Sequence, residues 1–127
     1  MKSKVECTVP VMPVKSLKDS LTFYTESLGF QLDWGGEEGK LIGSVSRDGC
    51  TIMLSEMHGE KKPNWVWIGL TDDTLFDEYK TKGIKIVQEP KNHAWAYEMQ
   101  IEDIDGNILW LGTAPKRNIP TVDPQGE

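Results

Sequence analysis

Polar and apolar residues alternate over residues 5–14, a stretch rich in valine, and the apolar positions then recur at helical spacing as Leu17, Leu21, Tyr24 and Leu28. This change of period predicts a strand followed by a helix. Pro10 and Pro13 supply no ladder donors, which puts the strand at a sheet edge or a ladder end. Ser16 with Asp19 is a capping signal for the helix, and Gly29 is its left-handed stop. Three short strands follow, over 30–34, 41–46 and 50–55. The glycine-rich turn 35–39 separates the first two, and Arg47-Asp48-Gly49 turns a hairpin between the others.

After a linker over 57–63 the order returns. An apolar strand, Trp65-Val66-Trp67-Ile68-Gly69-Leu70, leads to a helix capped by Thr71 or Asp72, with Leu75, Phe76 and Tyr79 on its inward stripe and Gly83 as its stop. Strands over 84–87, 97–102 and 108–111 complete the copy. The excursion 89–95 carries Pro90 and Asn92 and is expected to be irregular, with Trp95 at its end. Asp48-Gly49-Cys50-Thr51-Ile52-Met53-Leu54 matches Asp105-Gly106-Asn107-Ile108-Leu109-Trp110-Leu111, each downstream of a helix-to-strand join. One unit is thus used twice. The expected fold class is α+β: two βαβββ modules, 5–56 and 64–112, in a single domain over 1–114, whose curved mixed sheets form a cleft. Residues 115–127 hold three prolines and read as a flexible tail.

With 127 residues the chain can bury one core, while each half alone would be marginal. A formal charge of -6 disfavours nucleic acid and anionic membranes and suits a cationic ligand. No apolar run reaches membrane length and the N-terminus lacks a signal h-region, so a cytoplasmic location is expected. Cys7 and Cys50 fall in predicted strands without metal or redox spacing and read as buried free thiols, a disulfide between them being the alternative.

Val9-Pro10-Val11-Met12-Pro13-Val14, Leu21-Thr22-Phe23-Tyr24 with Leu28-Gly29-Phe30, and Asp103-Ile104-Asp105-Gly106-Asn107 resemble signatures of the vicinal oxygen chelate superfamily, the glyoxalase, bleomycin-resistance and extradiol-dioxygenase group. The likeness spans about residues 5–112. The superfamily holds metal-dependent enzymes as well as metal-free drug-binding proteins, so membership alone does not assign an activity. At the positions where the enzymes carry metal ligands this chain has Val9, Met53, Trp65 and Trp110, none suited to hard or borderline divalent ions. The resemblance therefore implies no metal and no cofactor, with a displaced site at His93 and Glu98 as the alternative; His58 lies in the linker.

Strand period puts Trp65, Trp67 and Gly69 on one face, with Ile108, Trp110 and Gly112 and with Glu98 and Gln100, while Met99 and Ile101 pack under the helix. The chain holds 5 Trp against 3 Phe, and indoles beside a carboxylate suit a flat, cationic organic molecule. The plainer reading is that the tryptophans fill a core where a metal site was lost. Trp65-Val66-Trp67 and Ala94-Trp95 followed by Glu98 look like the metal-free bleomycin-resistance proteins. By that resemblance Trp95 stacks on a planar ring, Asp33 and Glu98 meet cationic groups, and Ser55 offers a hydrogen bond. Those proteins commonly place an aromatic residue after the second strand, where this chain has Gly35-Gly36-Glu37-Glu38-Gly39-Lys40. Trp34 either takes over the stacking or, sharing parity with Phe30 and Leu32, belongs to the core, the reading that period favours.

The expected function is metal-independent binding and sequestration of a cationic or aromatic small molecule such as a bleomycin-type antibiotic. Its ligand-binding residues are Asp33, Trp34, Ser55, Trp65, Trp67, Trp95, Glu98, Gln100 and Trp110. The alternative is an enzyme of the same superfamily, glyoxalase-like lyase, isomerase or dioxygenase-like, with Glu98 as general base. The resemblance also implies a homodimer, and a proline-bearing edge strand is compatible with one.

Overall fold

Among the described residues, 4–60 and 62–122 of a computed structural model, eight strands and two helices follow one another. They are β1 (Val11–Val14), α1 (Leu17–Thr22), β2 (Gln31–Trp34), β3 (Ile42–Arg47), β4 (Cys50–Glu56), β5 (Trp65–Gly69), α2 (Thr74–Thr81), β6 (Ile86–Asn92), β7 (Tyr97–Glu102) and β8 (Ile108–Thr113). This is an α+β fold in which βαβββ occurs twice. The chain divides into two compact units, residues 1–62 and 63–127. No helix among the described residues is long and apolar enough to cross a membrane.

In the first unit the strand order is β1-β4-β3-β2, with β1 parallel to β4 and the other pairs antiparallel. The proline-bearing β1 is an edge, as its missing donors require. It forms over fewer residues than the alternation suggested, although Pro10 still accepts a hydrogen bond from Met53 N–H at 2.9 Å. Ser16 Oγ caps α1 at Asp19 N–H (3.2 Å), and the Glu56 carboxylate takes Leu17 N–H at 2.8 Å. The helix continues as a π-helical turn, Phe23–Ser27. Leu17, Leu21, Tyr24 and Leu28 bury with Met12, Val14, Val45, Ile52 and Leu54 into the core of this unit. Asp48 and Gly49, both at positive φ, turn the β3–β4 hairpin.

In the second unit the order is β5-β8-β7-β6, again with one parallel pair, β5 with β8. Phe76 of α2 stacks on Tyr97 with ring centroids 5.4 Å apart, so the helix covers the face that carries Met99, Ile101, Leu109 and Leu111. The N-cap of α2 is Asp73, not Thr71 or Asp72, and its side chain makes no capping hydrogen bond; Asp72, one residue earlier, accepts from Thr74 N–H and Oγ1 instead. The Asp103 to Asn107 motif is a turn closed on itself. Buried Asp103 accepts from Asp105 N–H, Asn107 N–H and Asn107 Nδ2, and Asn107 Oδ1 takes Asn64 N–H at 2.7 Å.

Three further expectations need correction. Cys7 and Cys50 are free and exposed, not buried: Cys7 precedes β1, and Cys50 sits at the hairpin rim. Residues 89–92 are not irregular, because β6 runs through them to Asn92. As the outer strand it tolerates Pro90, and its register against β7 shifts between Gln88 and Lys91. The tail is held as far as Val122. Asn92 Nδ2 donates to the carbonyls of Lys116 and Ile119, Asn92 Oδ1 accepts Lys116 N–H, and Asn92 O accepts Val122 N–H. The rest of the tail, 123–127, lies outside the described residues.

Candidate functional site

The side of the second sheet away from α2 carries the tryptophans. Alternation along β5 turns Val66 and Ile68 towards the core and leaves Trp65 and Trp67 60% and 47% exposed. Beneath Trp67 the sheet has no side chains, because Gly69 of β5 pairs with Gly112 of β8. A Cβ built on Gly112 would stand 2.7 Å from Trp67 Cζ2, and one on Gly69 2.9 Å from Cζ3, so the indole lies directly on a glycine floor. Neither glycine is required by backbone conformation; both are required by the approach of the ring.

Glu98 stands next to Gly112 across β7 and β8 and is only 1% exposed. Its Oε2 accepts a hydrogen bond from Trp67 Nε1 at 3.1 Å, while its Oε1 is buried without a hydrogen-bond partner. His93 Nε2 lies 3.6 Å from that oxygen, beyond hydrogen-bond range. The His93 ring stacks on Trp95, centroids 4.5 Å apart and planes within 9°. Trp95, His93, Glu98 and Trp67 therefore form one continuous set of two aromatic faces, an imidazole and a carboxylate. Trp95 itself is 57% exposed. Further along, Trp110 faces Gln100 across the strands, and its ring tilts against Trp65 at 5.6 Å.

Of the residues expected to bind a ligand, Trp65, Trp67, Trp95, Glu98, Gln100 and Trp110 thus meet in the second unit. The alternative metal pair, His93 with Glu98, also comes together, but no group of three His, Cys, Asp or Glu side chains among the described residues could hold an ion. His58 is bound to Glu56 at 2.6 Å. The glycine floor and the His93–Trp95 stack escaped sequence reasoning. Only the shared parity of Gly69 and Gly112 with Trp67 pointed to the first.

Asp33, Trp34 and Ser55 belong to the first unit. Asp33 Oδ2 accepts from Ser44 Oγ (3.0 Å) and Ser46 Oγ (2.5 Å), and Ser46 is 2.9 Å from Thr51 Oγ1, which makes a hydroxyl ladder anchored by one carboxylate. Ser55 stands between Pro13 and Ile42 on the same side of the sheet. The core reading of Trp34 is wrong: it is 46% exposed. The register of β2 against β3 shifts between Leu32, opposite Val45, and Trp34, opposite Ser44, and a shift of this kind reverses the parity on which the core reading rested.

The profile of the Glyoxalase/Bleomycin resistance protein/Dioxygenase superfamily matches residues 7–111. No curated protein matches the sequence. Solved structures with the same fold include the bleomycin-binding protein of Streptomyces verticillus in complex with copper(II)-bleomycin, 21% identical over 91% of this chain and 100% of that one, TM-score 0.74. They also include TnmS3, an antibiotic-binding protein from Streptomyces sp. CB03234, 21% identical over 90% and 99% of the two chains, TM-score 0.74. A lactoylglutathione lyase from Agrobacterium tumefaciens is 16% identical over 88% and 96%, TM-score 0.67.

Proposed function

We propose, from the premise that this chain belongs to the Glyoxalase/Bleomycin resistance protein/Dioxygenase superfamily, that it binds and sequesters a planar, cationic small molecule of the bleomycin-type antibiotic class without a metal. One observation carries the reading: the buried Glu98 carboxylate, whose Oε1 accepts no hydrogen bond and has His93 Nε2 3.6 Å away, at the foot of the exposed indoles Trp67 and Trp95. A carboxylate in that setting attracts a cation, and each indole face adds about 0.5–1.5 kcal/mol of stacking beyond area burial. A desolvated cation over indole gains about 2 kcal/mol. Antibiotic-binding proteins among the similar folds support the same direction.

Tryptophan emission during titration with metal-free bleomycin and a panel of cationic aromatic compounds tests this. Saturable quenching at one ligand per chain, lost in Trp95→Ala, is the expected result; a flat response to every compound refutes it. The contact between His93 and Glu98 favours one other reading, a metal-free enzyme in which Glu98 is a general base. Glu98→Gln separates the two, since a base loses turnover with binding retained and a cation anchor loses affinity. The proposal includes a cytoplasmic homodimer, its edge strand β1 covered by the partner; sedimentation as a monomer at micromolar concentration removes that part.

A further inference from the structure

One row of side chains crosses all four strands of the second sheet. Trp67 on β5 stands opposite Trp110 on β8, Trp110 opposite Gln100 on β7, and Gln100 opposite Gln88 on β6. Amides and indoles in a row can satisfy one another, and here they do so only in part. Gln100 Nε2 donates to Gln88 Oε1 at 3.2 Å, and Trp67 Nε1 is taken by Glu98 in the neighbouring row. Gln88 Nε2 and Trp110 Nε1 are left buried without a hydrogen-bond partner, and two residues from Gln100 along β7 the Glu98 Oε1 likewise accepts no hydrogen bond, with His93 Nε2 3.6 Å away.

Folded proteins pair the great majority of such atoms, so unpaired ones call for a physical reason. Two orphaned donors and one orphaned acceptor on one side of one sheet form a pattern that a ligand can complement. Strands lie about 4.8 Å apart and rise about 3.4 Å per residue, so the Glu98 position is about 7 Å along β7 from the row that holds both donors. A single six-membered ring with a substituent at each end spans that length. The Trp65 ring stands 5.6 Å from that of Trp110, and Trp67 N–H meets Glu98, so an indole stands beside each orphaned end.

We propose that the ligand is bifunctional. A planar N–H cation, such as an amidinium or a protonated aminoheterocycle, donates to Glu98 Oε1, and a carbonyl acceptor at the other end of the same ring takes the N–H groups of Trp110 and Gln88. This rests on the binding function proposed above and narrows it. A cation alone fills the Glu98 end and leaves two buried donors unmatched, and sites with unmatched polar groups reject the truncated analogue.

Benzamidine and 4-carbamoylbenzamidine differ only in the second group, and calorimetric titration of both tests the idea. The carboxamide compound is expected to bind about tenfold tighter, as hydrogen bonds to buried donors allow. Trp110→Phe combined with Gln88→Met removes both donors while keeping a smaller aromatic ring at 110 and the volume at 88, and should bring the affinity ratio towards one. Glu98→Gln should weaken both compounds and preserve the ratio. Circular dichroism melting checks that each variant is folded, and Gln88→Met alone gives the same test if the double variant is not. Equal affinities in the unaltered protein, or a ratio that survives loss of the donors, overturns the inference while leaving cation binding standing. Failure of both compounds to bind also overturns it, and the bleomycin titration then judges the parent reading separately.

Discussion

Gly112→Ala tests whether the Trp67 indole is held against the sheet as the structure has it. The new Cβ would lie 2.7 Å from Trp67 Cζ2, 3.1 Å from Cε2 and 3.3 Å from Nε1. Ordinary carbon contacts are about 3.5–4.0 Å, so the ring must retreat by roughly 1 Å. The atom that retreats with it is the Nε1 that donates to Glu98 at 3.1 Å, and a bond of that length does not survive such a displacement. Glu98 is 1% exposed and already has one unpaired oxygen, so depriving the other costs about 1–3 kcal/mol. The smaller entropy of the unfolded alanine chain returns about 0.4–1 kcal/mol. Because Trp67 is half exposed, it can swing outwards without repacking the core, and the net loss is about 1–2 kcal/mol.

Urea unfolding followed by tryptophan emission measures both consequences. Gly112→Ala should lower the urea midpoint at constant slope and shift the folded emission to longer wavelength as an indole enters water. In a Trp67→Ala background the same change meets no ring and should only return the about 0.4–1 kcal/mol of chain entropy, so the coupling energy in the cycle is about 1–3 kcal/mol. An unaltered midpoint and emission in Gly112→Ala, or the same loss in both backgrounds, would refute the account of Trp67, Gly112 and Glu98 as one packed group.

Three further outcomes are expected. Asp103→Ala removes the acceptor of three hydrogen bonds within a buried turn and should destabilise by about 3 kcal/mol in thermal unfolding; a loss under about 1 kcal/mol would contradict its structural role. Asn92→Ala releases the segment after β8, so trypsin cleavage at Lys116 and Arg117 in the folded protein should accelerate about tenfold or more, equivalent to ~1.4 kcal/mol of local opening; an unchanged rate counts against the clamp. The hydrogen bond from Leu17 N–H, and then that from His58, hold the Glu56 carboxyl below the ordinary glutamate range. A depressed folded value contributes stability that is present above the unfolded pKa and lost as pH falls through the folded one. Glu56→Gln should therefore flatten the acid limb of the unfolding midpoint against pH, and an unchanged acid limb would refute this.

The fold was largely legible because its signals are local. The helical stripe of Leu17, Leu21, Tyr24 and Leu28, the capping Ser16, the hairpin turn at Asp48 and Gly49, and the internal repeat all act within a few residues or recur at one spacing. What failed depended on position in a sheet. Pro90 stops a central strand but not the outer strand β6, and no window around Pro90 says which it occupies. The tail looked loose because its anchor, Asn92, lies more than twenty residues upstream. Of the two readings of Trp34, the core one rested on a period that holds only in an unbroken ladder, and the register shift after Leu32 breaks it.

Which residues share one face of the second sheet was legible, but not their chemistry, and Asp33, Trp34 and Ser55 of the expected set lie in the first unit. Parity placed Trp67 and Trp110 together with Glu98, and as letters the two tryptophans are equivalent. They differ in what their N–H groups meet. Trp67 leans across the glycine floor towards Glu98 and is satisfied, whereas Trp110 lies flanked by Trp65 and Gln100, with its N–H buried and unmatched. That difference arises from ring orientation, which follows from Gly69 and Gly112 lacking side chains, and so from residues on two strands distant in sequence. A satisfied indole offers a ligand only its face, while an unsatisfied one offers a donor as well. Affinity for any flat cation can come from the faces and Glu98 together. Discrimination among such cations has to come from the donors at Trp110 and Gln88, the two groups in the row that the protein leaves unmatched.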